Sequence, residues 1–210
     1  MHLPGKHGED VASFDNEQHS LFTASNDGRL DIVRSLLDRG SDVNERNTFR
    51  ATALNAASMN GRPKVAKLLI ERGADVDSRD RDGRTPLITA SECGQLEVAR
   101  LLLDHGVDVN TRTRNYSTAL HHTSYNGNFE MVRLLLEHGA NVNIQDANRQ
   151  TPKQLAEQRG CRRIVESLPG FGKHGQEVTT EVRFVIQVTF DSYRIADITT
   201  VTTKATRSHH

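Results

Sequence analysis

The chain has no tryptophan, three tyrosines and seven phenylalanines, so aromatic residues fill only 5% of its 210 positions. Wherever an aromatic side chain stands, its placement therefore carries weight. Cysteine is equally scarce, with only Cys93 and Cys161, and a disulfide-stapled scaffold is not expected; a reducing, intracellular setting fits that usage. Nowhere does an apolar run approach the roughly 18 residues of a membrane-spanning helix. Met1-His2-Leu3-Pro4-Gly5-Lys6 lacks the apolar stretch of a secretory signal. Lys and Arg balance Asp and Glu at 27 each, so no global field draws the molecule to nucleic acid or to anionic lipid. No Gly-x-x-x-x-Gly-Lys loop is present to cradle phosphate, and no cofactor is expected. Without a basic import cluster the expected location is the cytoplasm, nuclear entry being left open.

What the chain does have is repetition. Gly28, Gly61, Gly94, Gly127 and Gly160 recur every 33 residues with no insertion or deletion between them. In the third copy Asp82-Gly83 marks a tight turn and Thr85-Pro86-Leu87 opens a helix, the hydroxyl capping free amides and proline filling a position that needs no donor. Gly94 ends that helix. Val98, Leu101 and Leu102 then share one face of a second helix, which stops at Gly106. The second-helix motif returns as Leu36 to Gly40, Leu68 to Gly73, Leu101 to Gly106 and Leu134 to Gly139. Each is followed by a short extended step such as Val107-Asp108-Val109-Asn110. A fixed period in the range of about 20–50 residues is the mark of a solenoid, whose stability is a sum of repeat and neighbour terms and needs no large central core.

On these motifs the chain resembles the ankyrin-repeat proteins, over roughly Glu17 to Leu168. The resemblance implies a mostly α fold: a solenoid of stacked helix pairs with β-hairpin fingers. Five repeats are expected near 16–46, 47–79, 80–112, 113–145 and 146–168, the first and last acting as caps that complete the array. Ahead of them stands a flexible leader, 1–15. Departures occur at the finger glycine, where Arg50, Tyr116 and Arg149 replace the residue seen at Gly83, which speaks against left-handed turns there. Thr123 and Ser124 replace first-helix alanines, and their hydroxyls are expected to bond back to helix carbonyls.

Beyond the array, 169–177 reads as a linker rich in glycine. In 178–210 the period changes: Val182, Phe184, Ile186, Val188 and Phe190 alternate with other residues, and a threonine-rich run follows. That pattern suits a small C-terminal β-hairpin needing a partner surface, or a disordered tail.

Candidate chemistry is sparse. In the family pattern His121 bonds the hydroxyl of Thr118, a structural role. His105 and His138 precede helix-ending glycines, where a donor suits the carbonyl end. Cys93 with His121 or His122 is the one thiol–imidazole pairing available, and it lacks an orienting acid or oxyanion donors. Ser208-His209-His210 offers two histidines without a third metal ligand. No catalytic or metal residues are therefore assigned.

The expected activity is binding, as a non-enzymatic scaffold or adaptor that holds a protein partner in the concave groove. The resemblance places finger tips and the exposed sides of first helices there. In this chain those positions are Phe49, Met59, Arg81, Asp82, Arg84, Glu92, Arg114, Asn115, Tyr116, Tyr125 and Asn126, with Thr48, Ala51, Asn60, Cys93 and Ser117 beside them. Aromatic, methionine and arginine side chains carry most interface energy. Arg46, Arg79 and Arg112 form a further row every 33 residues. With Arg50, Arg81, Arg84 and Arg114 it makes the finger edge basic, either as a solvated surface interleaved with aspartates, the favoured reading, or as a face for an acidic partner. The alternative function is recognition within a larger assembly, with the tail as docking or oligomerisation strand; otherwise a monomer is expected. The family likeness also implies that Asn44 and Asn110 are of the kind hydroxylated in some members.

Overall fold

The computed structural model of the chain describes residues 20–168. The expected leader, the start of the first repeat, the linker and the β-like tail lie outside the described residues. Within them stand ten helices in five pairs: α1 (Leu21–Asp27) with α2 (Leu30–Asp38), α3 (Ala53–Met59) with α4 (Pro63–Glu71), α5 (Pro86–Glu92) with α6 (Leu96–Asp104), α7 (Ala119–Asn126) with α8 (Phe129–Glu137), and α9 (Pro152–Gln158) with α10 (Arg162–Ser167).

The period of 33 becomes columns of side chains. Ile32, Val65, Val98, Met131 and Ile164, one from each second helix, are all buried. Ala24, Ala57, Ala90, Thr123 and Ala156, one from each first helix, are fully buried. Such small residues let first helices approach closely, and first helices do pack on one another more extensively than second helices do. The next column, Ser25, Ser58, Ser91 and Ser124, is also buried, and none of these hydroxyls has a hydrogen-bond partner. The expectation for the fourth pair is thus half corrected. The Thr123 hydroxyl donates to the Leu120 carbonyl at 3.1 Å, whereas that of Ser124 bonds nothing.

An unpaired buried hydroxyl costs on the order of 1 kcal/mol, and alanine is also the better helix former. Ser58→Ala with Ser91→Ala is therefore expected to raise stability by about 2 kcal/mol and Tm by roughly 4–8 °C. Thermal unfolding followed by circular dichroism reads it, and an unchanged or lower Tm would mean that these hydroxyls find acceptors in solution.

First helices share an N-terminal device with interchangeable parts. Thr52 caps α3 while the Asn55 Oδ1 accepts the Thr52 N–H at 3.0 Å; Thr151 and Gln154 repeat this at α9. At α7 the reciprocal acceptor is His121, whose Nδ1 takes the Thr118 N–H at 3.1 Å and lies 2.9 Å from its hydroxyl. At α5 the equivalent residue is the buried Ile88, and Thr85 caps alone.

Between pairs the chain makes the fingers. Each closes on two backbone bonds, for instance Asp80 N–H to Arg84 O at 3.1 Å and Gly83 N–H to Asp80 O at 3.1 Å. No strand occurs among the described residues, because a turn this short leaves no length for a ladder. Neighbouring fingers are joined tip to tip by one backbone bond each: Arg81 N–H to Phe49 O, Arg114 N–H to Asp82 O and Ala147 N–H to Asn115 O, at 2.8–3.0 Å. All four fingers use the same left-handed residue. Gly83 has φ 78°, and Arg50, Tyr116 and Arg149 adopt φ of 59–60°. The expectation against left-handed turns at those three is overturned, since the finger's closing and tip bonds fix the backbone whatever the side chain.

Candidate functional site

Four large apolar side chains are exposed among the described residues: Phe49 (64%), Met59 (42%), Tyr116 (56%) and Tyr125 (45%). They are the four that register placed on the groove. Phe49 and Tyr116 belong to fingers, Met59 ends α3 and Tyr125 lies near the end of α7. Arg81 is tethered rather than free, its guanidinium donating to Thr48 O at 2.9 Å and lying over the Phe49 ring at 5.9 Å. Arg159, which the sequence reading did not single out, sits 4.5 Å from the Tyr125 ring centre. Its signal was available: it stands in register with Asn126, one period on.

Between the aromatic groups lies a charged centre. Half-buried Arg84 reaches Asp82 at 3.5 Å and Glu92 at 3.6 Å, and the other Glu92 oxygen lies 3.9 Å from His122 Nδ1. The Glu92 carbonyl also accepts from Asn126 at 2.9 Å. Asn60 donates to Asn26 at 2.7 Å, and Asn115 holds the next finger through its carbonyl. Arg114 and Asn115 are themselves exposed. The grouping of Arg84, Glu92 and His122 spans two pairs and was invisible in the sequence as a unit.

The thiol–imidazole pairing finds little support in this geometry. Burial, and then the Glu92 carboxylate, push the Cys93 thiol up, with Arg84 acting the other way, whereas a nucleophilic cysteine needs its pKa lowered. His121 is fully occupied: Nδ1 serves Thr118, and Nε2 lies 3.1 Å from the Gln150 carbonyl of the next finger. His105 and His138 reach back to the Leu101 and Leu134 carbonyls at 2.7 and 2.9 Å, as capping donors should. Cys93 and Cys161 are both free. Among the described residues no group of three or more His, Cys, Asp or Glu side chains is arranged to hold a metal ion, and no helix is long and apolar enough to cross a membrane.

Two sequence rows prove to be structural ties. Arg46 donates to the Arg79 carbonyl at 3.2 Å, and Arg79 to that of Arg112 at 2.9 Å. Asn44 bridges to the next pair, donating to Gly73 O at 3.2 Å and accepting from Asp75 N–H at 2.7 Å. Asn110 does the same with Gly139 O and Asn141 N–H.

Burial lowers the pKa of His121, against the raising effects of the Gln150 carbonyl and Asp146; burial also lowers that of His122, with Glu92 opposing and Arg84 reinforcing. Both favour the neutral ring in the fold. The unfolded chain then binds more protons, so stability is complete above an unfolded pKa of about 6.5 and declines as pH falls below it. Protonation of His121 Nδ1 would also break the Thr118 cap. Tm is expected to drop between about pH 7.5 and pH 5. His121→Asn, which imports the Asn55 cap, should keep the fold and flatten part of that slope; an equally steep slope in the variant would assign the acid sensitivity elsewhere.

A search of curated proteins returns no match. A family model described as ankyrin repeats, in three copies, does match residues 21–113 and 105–181, taking in every helix pair and finger described above. Ankyrin repeats generally mediate protein–protein interaction, and in both sequence model and architecture this chain belongs to the ankyrin-repeat family.

Proposed function

We propose that the array is a non-catalytic scaffold or adaptor that takes a protein partner across the face formed by its finger tips and the exposed sides of α3, α5 and α7. The observation that carries this reading is the exposure of Phe49, Met59, Tyr116 and Tyr125 together, in a chain where aromatic residues are only 5%. Large apolar side chains are costly to leave in water and are the groups that anchor partners. Between them Arg84 and Glu92 supply a polar centre, and exposed Arg81, Asp82, Arg114, Asn115 and Asn126 supply a rim whose pattern would select the partner. Tying Arg81 over Phe49 and Arg159 over Tyr125 limits the rotamers that binding must freeze. The cytoplasm is the setting proposed, on the sequence grounds above.

The test begins with affinity capture by the full chain, followed by titration of the captured protein against the parent and against Phe49→Ser with Met59→Ser. Loss of affinity with unchanged helicity supports the surface. Parental affinity in the variant would move the binding site off it.

A further inference from the structure

The finger edge carries a second feature, which borders the aromatic face and shares Arg114 with its rim. A depression of about 270 Å³ opens across three successive fingers, lined by Arg50 from one, by Arg79, Asp80 and Gly83 from the next, and by Arg112 and Arg114 from the third. Four guanidinium-bearing residues thus meet a single carboxylate. That carboxylate is engaged: Asp80 Oδ1 accepts the N–H groups of Asp82 and Arg84 at 2.9 and 2.8 Å. Arg79 is held by its bond to the Arg112 carbonyl. Among the described residues the Arg50, Arg112 and Arg114 guanidiniums have neither an ion pair nor a hydrogen bond. Arg84, by contrast, is spent on Asp82 and Glu92.

The floor of the depression exists because of one glycine. The equivalent positions in the other fingers carry Arg50, Tyr116 and Arg149, all with the same backbone twist. Only Gly83 has no side chain there, and a Cβ would stand 3.1 Å from the Arg114 backbone nitrogen. Nor is the arginine lining a general property of the finger edge. The next depression along, of about 560 Å³, shares Arg112 but is otherwise lined by residues such as Tyr116, Ile144 and Asp146.

We propose that this depression binds a phosphoryl group borne by a peptide segment of a protein partner. A phosphomonoester carries nearly two charges and three acceptor oxygens at neutral pH, which matches several planar guanidinium forks better than one carboxylate does. The peptide on either side of the phosphoryl has a course to follow into the larger depression beyond Arg112. A nucleic acid is the poorer fit. Its backbone needs a continuing basic track, whereas Asp146 stands in the next depression and the chain has no net charge.

The experiment uses the full chain and a degenerate peptide library with a fixed central phosphoserine, alongside matched libraries centred on serine and on glutamate, all read by bead retention and by anisotropy. The phosphoserine library should be retained at least tenfold over both controls. Arg50→Asn and Arg112→Gln should each weaken it roughly tenfold, asparagine being chosen for its tolerance of the left-handed backbone. Gly83→Asn keeps every arginine and fills the floor, so it should also abolish retention if the site is a shaped one. Each variant is first checked for parental helicity and melting; Arg114→Gln replaces any that fails. Equal retention of phosphorylated and unphosphorylated peptides, or retention indifferent to all of the variants, would overturn the proposal. So would tighter binding of a single-stranded RNA of equal charge, lost in the same variants. Tyr125→Ala should leave phosphopeptide retention unchanged, which keeps this result separable from that of the aromatic face.

Discussion

Replacing Tyr116 by glycine and Tyr125 by alanine is expected to leave the fold as stable as the parent while weakening partner binding by roughly a thousandfold. The two effects separate because neither ring is core: both are about half exposed. Tyr116 also occupies a backbone position with φ 60°, where a residue other than glycine costs on the order of 1–2 kcal/mol. Its finger has the least local support. In the others Asn47, Asp80 or Asp146 accepts two turn amides, and the corresponding residue here is Thr113. Glycine relieves that cost, which offsets the loss of the Arg159–Tyr125 contact, worth about 0.5–1 kcal/mol. On the binding side, truncating one anchoring residue costs about 2 kcal/mol or more, and two together give the thousandfold figure, subject to non-additivity. Circular dichroism melting and titration against the captured partner read the two halves. A destabilised variant would mean the rings are packed in solution; a stable variant with parental affinity would place the binding surface elsewhere.

The second large effect is on folding. Gly94→Val is expected to cost roughly 3 kcal/mol, lowering Tm by roughly 6–12 °C. Gly94 holds φ 73° where the chain leaves α5 for α6, and a β-branched residue reaches that conformation only with strain. The new Cβ would also stand 3.1 Å from the Asn128 side-chain nitrogen. Asn128 is the residue whose side-chain Oδ1 caps α8 by accepting the Met131 N–H at 3.1 Å, so the damage reaches the next pair. Chemical and thermal denaturation give the number. A shift within a degree or two would show that the left-handed turn is not required in solution.

The helix pairs were legible because 33-residue spacing, helical apolar periodicity and glycine stops are all local signals, and the exposed quartet followed from register alone. The left-handed Arg50, Tyr116 and Arg149 were not legible. Propensity speaks against them, and what overrides it is finger closure together with bonds between tips such as Arg114 N–H to Asp82 O, which no single repeat contains. The serine column could have been read from spacing, but not its lack of acceptors, which depends on how closely first helices meet. The Arg84–Glu92–His122 cluster was not legible for a related reason: His122 belongs to the repeat after that of Arg84 and Glu92, and only stacking makes them neighbours. The basic finger edge was read from register, but not that Arg50, Arg79, Arg112 and Arg114 line one depression.

The hydrogen bonds that join pairs have a kinetic consequence. Asn44 reaches 29 positions along the chain, Asn60 reaches 34 and Gln95 reaches 36, so each contact closes a loop of about one period. Loop-closure entropy is then paid in small equal instalments, and the search for the native state is short-ranged from end to end. Folding can start at whichever pair forms first and advance by adding neighbours, each new pair settling against one already formed.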